Sequence, residues 1–135
     1  MIGVSIAFRG LKAYGRHLTR AEMQFRRKML ANTRQAAKLV AREMKSGVVR
    51  RTGRLMKAIG YDVKLKGSEV HAWIGPETKK AWYGHLVEGG AGPHSIPGWG
   101  HDHPGAKAQP YMGPALKRTE QEQLRLMGRT FQLVA

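Results

Sequence analysis

Apolar and polar residues alternate at the start of the chain, where Ile2, Val4, Ile6 and Phe8 are interleaved with Gly3, Ser5, Ala7 and Arg9. A period of two with β-branched residues predicts a short, half-buried strand, which Gly10 ends. Leu11, Tyr14 and Leu18 then begin a helical spacing that Gly15 weakens. Neither Gly nor Pro occurs from position 19 to 46. In that stretch Phe25, Met29, Ala36, Val40 and Met44 form an apolar stripe, widened by Ala37 and Leu39. Arg27, Arg34, Lys38, Arg42 and Lys45 form a second, basic stripe, mostly three, four or seven residues apart. The pattern predicts a helix about 42 Å long. Its apolar face should pack on a sheet or another helix, its basic face should stay free, and Gly47 should stop it.

Thr52-Gly53 reads as a turn, with Thr52 able to cap a short segment that begins at Gly53 and carries Leu55. Ile59, Tyr61, Val63 and Leu65 alternate again, and Val70, Ala72 and Ile74 resume the alternation after Lys66-Gly67-Ser68. This predicts a β-hairpin over 58–66 and 69–75, ended by Gly75-Pro76. Positions 79–88 fit a short helix bearing Trp82, Tyr83, Leu86 and Val87. Positions 89–110 hold six Gly and four Pro, so a long loop without regular elements is expected there. Gly113-Pro114 opens a last helix whose apolar face is Leu116, Leu124, Met127, Phe131 and Val134. The expected class is α+β: a long N-terminal amphipathic helix and a C-terminal helix on a small antiparallel sheet, with a Gly/Pro/His-rich loop.

The length of 135 residues fits a single domain over 1–135, and 41% hydrophobic residues suffice for a core. With no Cys, a disulfide framework, a thiolate zinc site and cysteine chemistry are excluded. No apolar run approaches the roughly 20 residues that span a bilayer, so no membrane role is expected. Residues 1–8 are too short and too uncharged for a secretory leader. Charge is the most informative quantity. Residues 1–60 hold 15 Lys/Arg against Glu22 and Glu43, a net +13, whereas residues 61–135 hold nine against seven, a net +2. Such a block usually faces a polyanion or an acidic protein, although a solvated helix face is the plainer alternative.

Candidate chemistry is sparse. His85, His94, His101, Asp102 and His103 are of metal-ligand type, but no second spaced pair accompanies His101-x-His103. Exposed loop histidines are most often polar surface, and Glu88 beside His85 suits a salt bridge or a helix-end contact better than acid–base catalysis. None of Ser5, Ser46, Ser68 and Ser95 sits in a nucleophile motif, and no phosphate-cradling Gly-rich loop is present. No catalytic residue, cofactor or metal is expected. Arg50, Arg51 and Arg54 around Thr52-Gly53 could hold phosphates, yet no base-reading module accompanies them. Trp73 and Trp82 read as core or interface residues rather than as base-stacking ones.

Four motifs stand in order: Phe8-Arg9-Gly10-Leu11; Thr52-Gly53-Arg54-Leu55; Tyr83-Gly84-His85-Leu86-Val87-Glu88-Gly89; and Pro110-Tyr111-Met112-Gly113-Pro114-Ala115-Leu116. Together they resemble the small head–tail joining and tail-completion (neck) proteins of long-tailed double-stranded DNA phages. The chain departs from the usual pattern in having Gly90 where Thr commonly follows, and in a longer, His-rich stretch over 91–109. The resemblance implies a structural virion protein, assembled in the host cytoplasm, without catalysis. It implies a homo-oligomeric ring, a hexamer, between the head connector or stopper and the tail terminator or tail tube. The motif residues would then be fold or interface determinants, with positive φ expected at Gly53 and Gly89, and loop 89–110 would be an inter-subunit arm. A tail-terminator ring, or a free basic nucleic-acid-binding protein, are the alternatives. A hexamer would multiply the formal +15 sixfold. Arg27, Arg34, Lys38, Arg42, Lys45, Arg50, Arg51 and Arg54 are therefore read as a surface for packaged DNA or acidic neighbours.

Overall fold

The computed structural model describes residues 3–9, 20–67, 69–98 and 100–131. The elements run β1 (Val4–Arg9), α1 (Arg20–Gly47), α2 (Arg54–Ala58), β2 (Ile59–Lys66), β3 (Glu69–Pro76), α3 (Gly84–Gly89), β4 (His94–Ser95), β5 (Asp102–His103) and α4 (Met112–Phe131). Gly10, Leu11, Trp99 and Val134 lie outside the described residues. The class is α+β, as the periodicities require.

One three-stranded antiparallel sheet has the order β1-β3-β2, so β3 is central. Pairing in register sets Val4, Ile6 and Phe8 opposite Ile74, Ala72 and Val70, which in turn face Tyr61, Val63 and Leu65. Tyr61, Val63 and Leu65 of β2 thus share one face of the sheet with Val70, Ala72 and Ile74 of β3. α1 lies on that face and buries Val70, Ala72 and Ile74 to 1% exposure or less. Trp73 and His71 occupy the other face and are only partly buried.

α1 is 28 residues long and buries Met29, Ala36, Ala37, Val40, Ala41 and Met44. Phe25 and Leu39, placed in the same stripe by periodicity, are only partly buried. α4 packs antiparallel on α1: Arg118 pairs with Glu43 at 2.8 Å, while Leu126 and Met127 pack on Ala36. The many alanines at these contacts allow close approach. Thr33 and Thr119 are buried hydroxyls that donate to Met29 O and Ala115 O, each at 2.8 Å, so neither is left unpaired.

Three expectations are corrected. The 79–88 helix is shorter and later, Gly84–Gly89, preceded by turns at 77–83. Trp82 is consequently 64% exposed rather than in the core. The 89–110 stretch is not devoid of regular structure. β4 and β5 pair antiparallel there, and Ala91 and Ala106 exchange backbone hydrogen bonds at 2.8 and 2.9 Å. Gly and Pro abolish long strands, but the ladder needs only two residues on each side. On α4, Leu124 is 66% exposed, whereas Leu126 is buried beside Met127. At 3.6 residues per turn, position 124 lies about 140° round the helix from Thr119 and so off the buried row of Met112, Ala115 and Thr119.

Candidate functional site

The second half of the chain converges on one carboxylate. Glu88 Oε2 accepts from Tyr111 N at 2.6 Å and Met112 N at 2.9 Å, and Oε1 accepts from Gly113 N at 3.1 Å. An α-helix leaves its first N–H groups without intrahelical partners, and an anion there also meets the positive end of the helix dipole. Pro114 has no N–H, and Ala115 N already returns to Tyr111 O at 3.4 Å. The backbone donors at the start of α4 are thus accounted for, three of them by a residue more than twenty positions away. The role is a helix-end contact.

The junction is also sterically exact in its small residues. Tyr111 is fully buried and its hydroxyl donates to Gly84 O at 3.3 Å. A Cβ at Gly84 would lie 2.6 Å from Pro76 Cγ and 3.1 Å from the Tyr111 hydroxyl, so the site demands glycine. Burial, and secondarily the Glu88 charge, push the Tyr111 hydroxyl up to about 12. Gln109 N donates to Val87 O at 2.8 Å, holding the chain after β5 against α3. Left-handed backbone falls at Gly53, φ +72°, and at Gly90, φ +77°, not at Gly89. At Gly90 the conformation coincides with close approach of Ala106 O and Ala108 N, each 2.9 Å from where a Cβ would stand.

The Thr52-Gly53 turn meets this junction. Thr52 Oγ1 accepts from Arg54 N at 3.3 Å, Gly53 caps α2, and Leu55 is buried beside Gly84. Between turn and junction lies a groove of about 490 Å³. Leu55, Tyr83, Leu86 and Val87 make its apolar floor, and Arg51 and Lys107 stand on its rim. The motifs around Thr52 and Glu88 therefore belong to one place. Leu86 belongs to the 83–89 motif, whereas Val49, Lys107 and Gln109 line the same groove and escaped sequence reading. Val49 could have been flagged as an apolar neighbour of the Thr52-Gly53 motif, whereas no local signal marks Lys107.

The basic residues divide. Arg27, Arg34, Lys38, Arg42 and Lys45 are all exposed on α1. At 3.6 residues per turn they fall within an arc of about 80° and extend over about 27 Å. Lys38, Arg42 and Lys45 border a second groove, of about 720 Å³, against Gly60 and Tyr61 of β2. Arg51 lines the other groove, and Arg54 donates from Nε to Lys80 O at 2.9 Å, which ties α2 to the turn after β3. Among the described residues none of these eight cations forms an ion pair. The surface can attract polyanions or acidic protein.

The histidines are engaged locally. His94 and His103 stack across the β4–β5 pair at 5.0 Å, His94 Nδ1 meets Gly92 O at 2.9 Å, and His103 Nδ1 accepts from Gly105 N at 3.0 Å. Among the described residues no three His, Asp or Glu gather to hold a metal ion, and no helix is long and apolar enough to cross a membrane.

Comparison with known proteins points the same way as the motifs. A family model described as "Bacteriophage HK97-gp10, putative tail-component" matches residues 12–90, more than half of the chain. No curated protein and no solved structure matches it. The match takes in α1, the Thr52-Gly53 turn, the hairpin and Glu88, and ends before β4, β5 and α4. With two of its motifs converging on one junction and more than half of it matched, the chain belongs to the HK97-gp10-like family of phage tail components.

Proposed function

We propose that the chain is a structural subunit of the phage neck, forming a homo-oligomeric ring, a hexamer, that joins the head connector to the tail tube around the DNA path. The observation that carries this reading is the α1 face: a stripe of exposed cations that form no ion pair among the described residues, in a family of tail components. A face of this kind needs an anionic counter-surface, either packaged DNA or the acidic side of an adjoining ring. Residues 1–135 act as one unit, with 89–110 as an arm toward a neighbouring subunit. Tyr111, Glu88 and Gly84 serve the fold of that unit and not a reaction. The subunit is assembled in the host cytoplasm and resides in the virion.

The test is the composition of purified particles together with a deletion of the gene. The reading expects the chain in each particle at one ring's multiplicity, and separated heads and tails when it is missing. Absence from particles, combined with tight, steeply salt-dependent DNA binding by the free chain, would establish a nucleic-acid-binding protein instead. Full-length tails that fail to stop elongating would assign it to the tail terminator.

A further inference from the structure

Eight of the nine carboxylates are engaged within the chain, by ion pairs, the α4 cap or other contacts. Glu120 is the exception among the described residues. One turn further along α4 stands Leu124, 66% exposed and the most exposed large hydrophobic among the described residues. Positions i and i+4 are neighbours on a helix surface, so the two make a single acidic and apolar knob. The groove beside the Glu88 junction has the complementary chemistry: an apolar floor, Arg51 and Lys107 on the rim, and no acidic residue in its lining.

We propose that the Glu120–Leu124 knob of one copy docks into this groove on the next copy, with Leu124 entering between Val49 and Leu86 and Glu120 meeting Arg51 and Lys107. Leu124 stands about 18 Å along α4 from Met112, the end at which the groove lies, so a chain does not fill its own groove. Knob and groove are different patches. The contact is therefore heterologous, adds copies head to tail, and closes into a ring when the rotation per subunit allows. Lys117 shares the exposed side of α4 and keeps the knob from being strongly acidic. The apolar insertion then supplies attraction, and the charges set register. Lys107, Glu120 and Leu124 all lie beyond the family match. The inference rests on the ring reading above.

The absence of cysteine makes the test clean. Full-length Val49→Cys and Leu124→Cys chains, mixed under assembly conditions and treated with a short bis-maleimide, should give mixed dimers in excess of either homodimer. The double variant should give a ladder of multimers. Independently, Arg51→Glu with Lys107→Glu should lower the oligomer fraction about tenfold or more, since like charges then face each other. Glu120→Lys alone should do the same, and combining all three should restore assembly. Oligomers that form without 49–124 links and ignore the charge changes overturn this contact and leave the ring intact. A chain that stays monomeric with tails and is missing from particles overturns both.

Discussion

The Glu88 junction and the basic face of α1 are opposites in how their polar groups are satisfied. At the junction, Glu88 accepts three backbone N–H groups, Tyr111 donates to Gly84, and Gly84 has no room for a side chain. On α1, cations from Arg27 to Lys45 stand exposed with no ion pair among the described residues. Groups that find their partners inside the chain determine the fold. Groups left without partners point to something outside it. Glu88, which its sequence context suits to a helix-end contact, has the geometry of a clasp. The proposed contacts with other molecules are placed where the internal accounting is incomplete.

The sharpest way to break the comparison is at the clasp. Glu88→Ala removes three charge-assisted bonds at the start of α4 and should lower unfolding stability by about 3 kcal/mol in a denaturant titration. An unchanged midpoint would mean that the α4 start finds other partners. Gly84→Ala forces a Cβ against Pro76 and should cost about 2 kcal/mol by overpacking. Tyr111→Phe removes one neutral hydrogen bond, for about 1 kcal/mol below pH 10.

Tyr111 also provides a pH test with a definite sign. Its hydroxyl is held up to about 12 in the folded chain, from an ordinary value of 10, chiefly by burial. The unfolded chain therefore loses this proton first. Stability should be full below pH 10 and fall as pH rises from 10 toward 12. The Phe variant should lack that component of the fall, and identical slopes in the two proteins would refute the assignment.

The smallest effect on stability is expected on α1. Lys38→Ala, Arg42→Ala and Lys45→Ala, made singly, should each change it by no more than about 0.5 kcal/mol, as exposed substitutions do. Circular dichroism melts would check this.

The sequence made local elements legible and long-range closure less so. The α1 stripe and the hairpin rest on periodicities of 3.6 and two, which sequence displays directly. The start of α4 depends on a carboxylate at position 88, and nothing near Tyr111 announces it. Leu124 was misplaced because a list of apolar residues does not reveal which row faces α1 until Ala115 and Thr119 are seen to be buried. The small ladder at 94–103 was hidden by the Gly and Pro around it, since two-residue strands leave no periodic signature. Within the groove, Thr52, Gly53, Leu55, Tyr83 and Val87 were marked by motif, whereas Lys107 comes to it through the return of the arm.

The central claim is that the unpaired basic face of α1 holds this subunit in its assembly. The direct measurement is incorporation of the Lys38→Ala/Arg42→Ala/Lys45→Ala chain into particles, alongside wild type, across a salt series. The account predicts a variant folded like wild type whose incorporation drops sharply. For wild type it predicts incorporation that weakens with salt, with a shallower slope in the variant by about one unit for each phosphate-type contact removed. Equal incorporation of both chains at every salt concentration would contradict it.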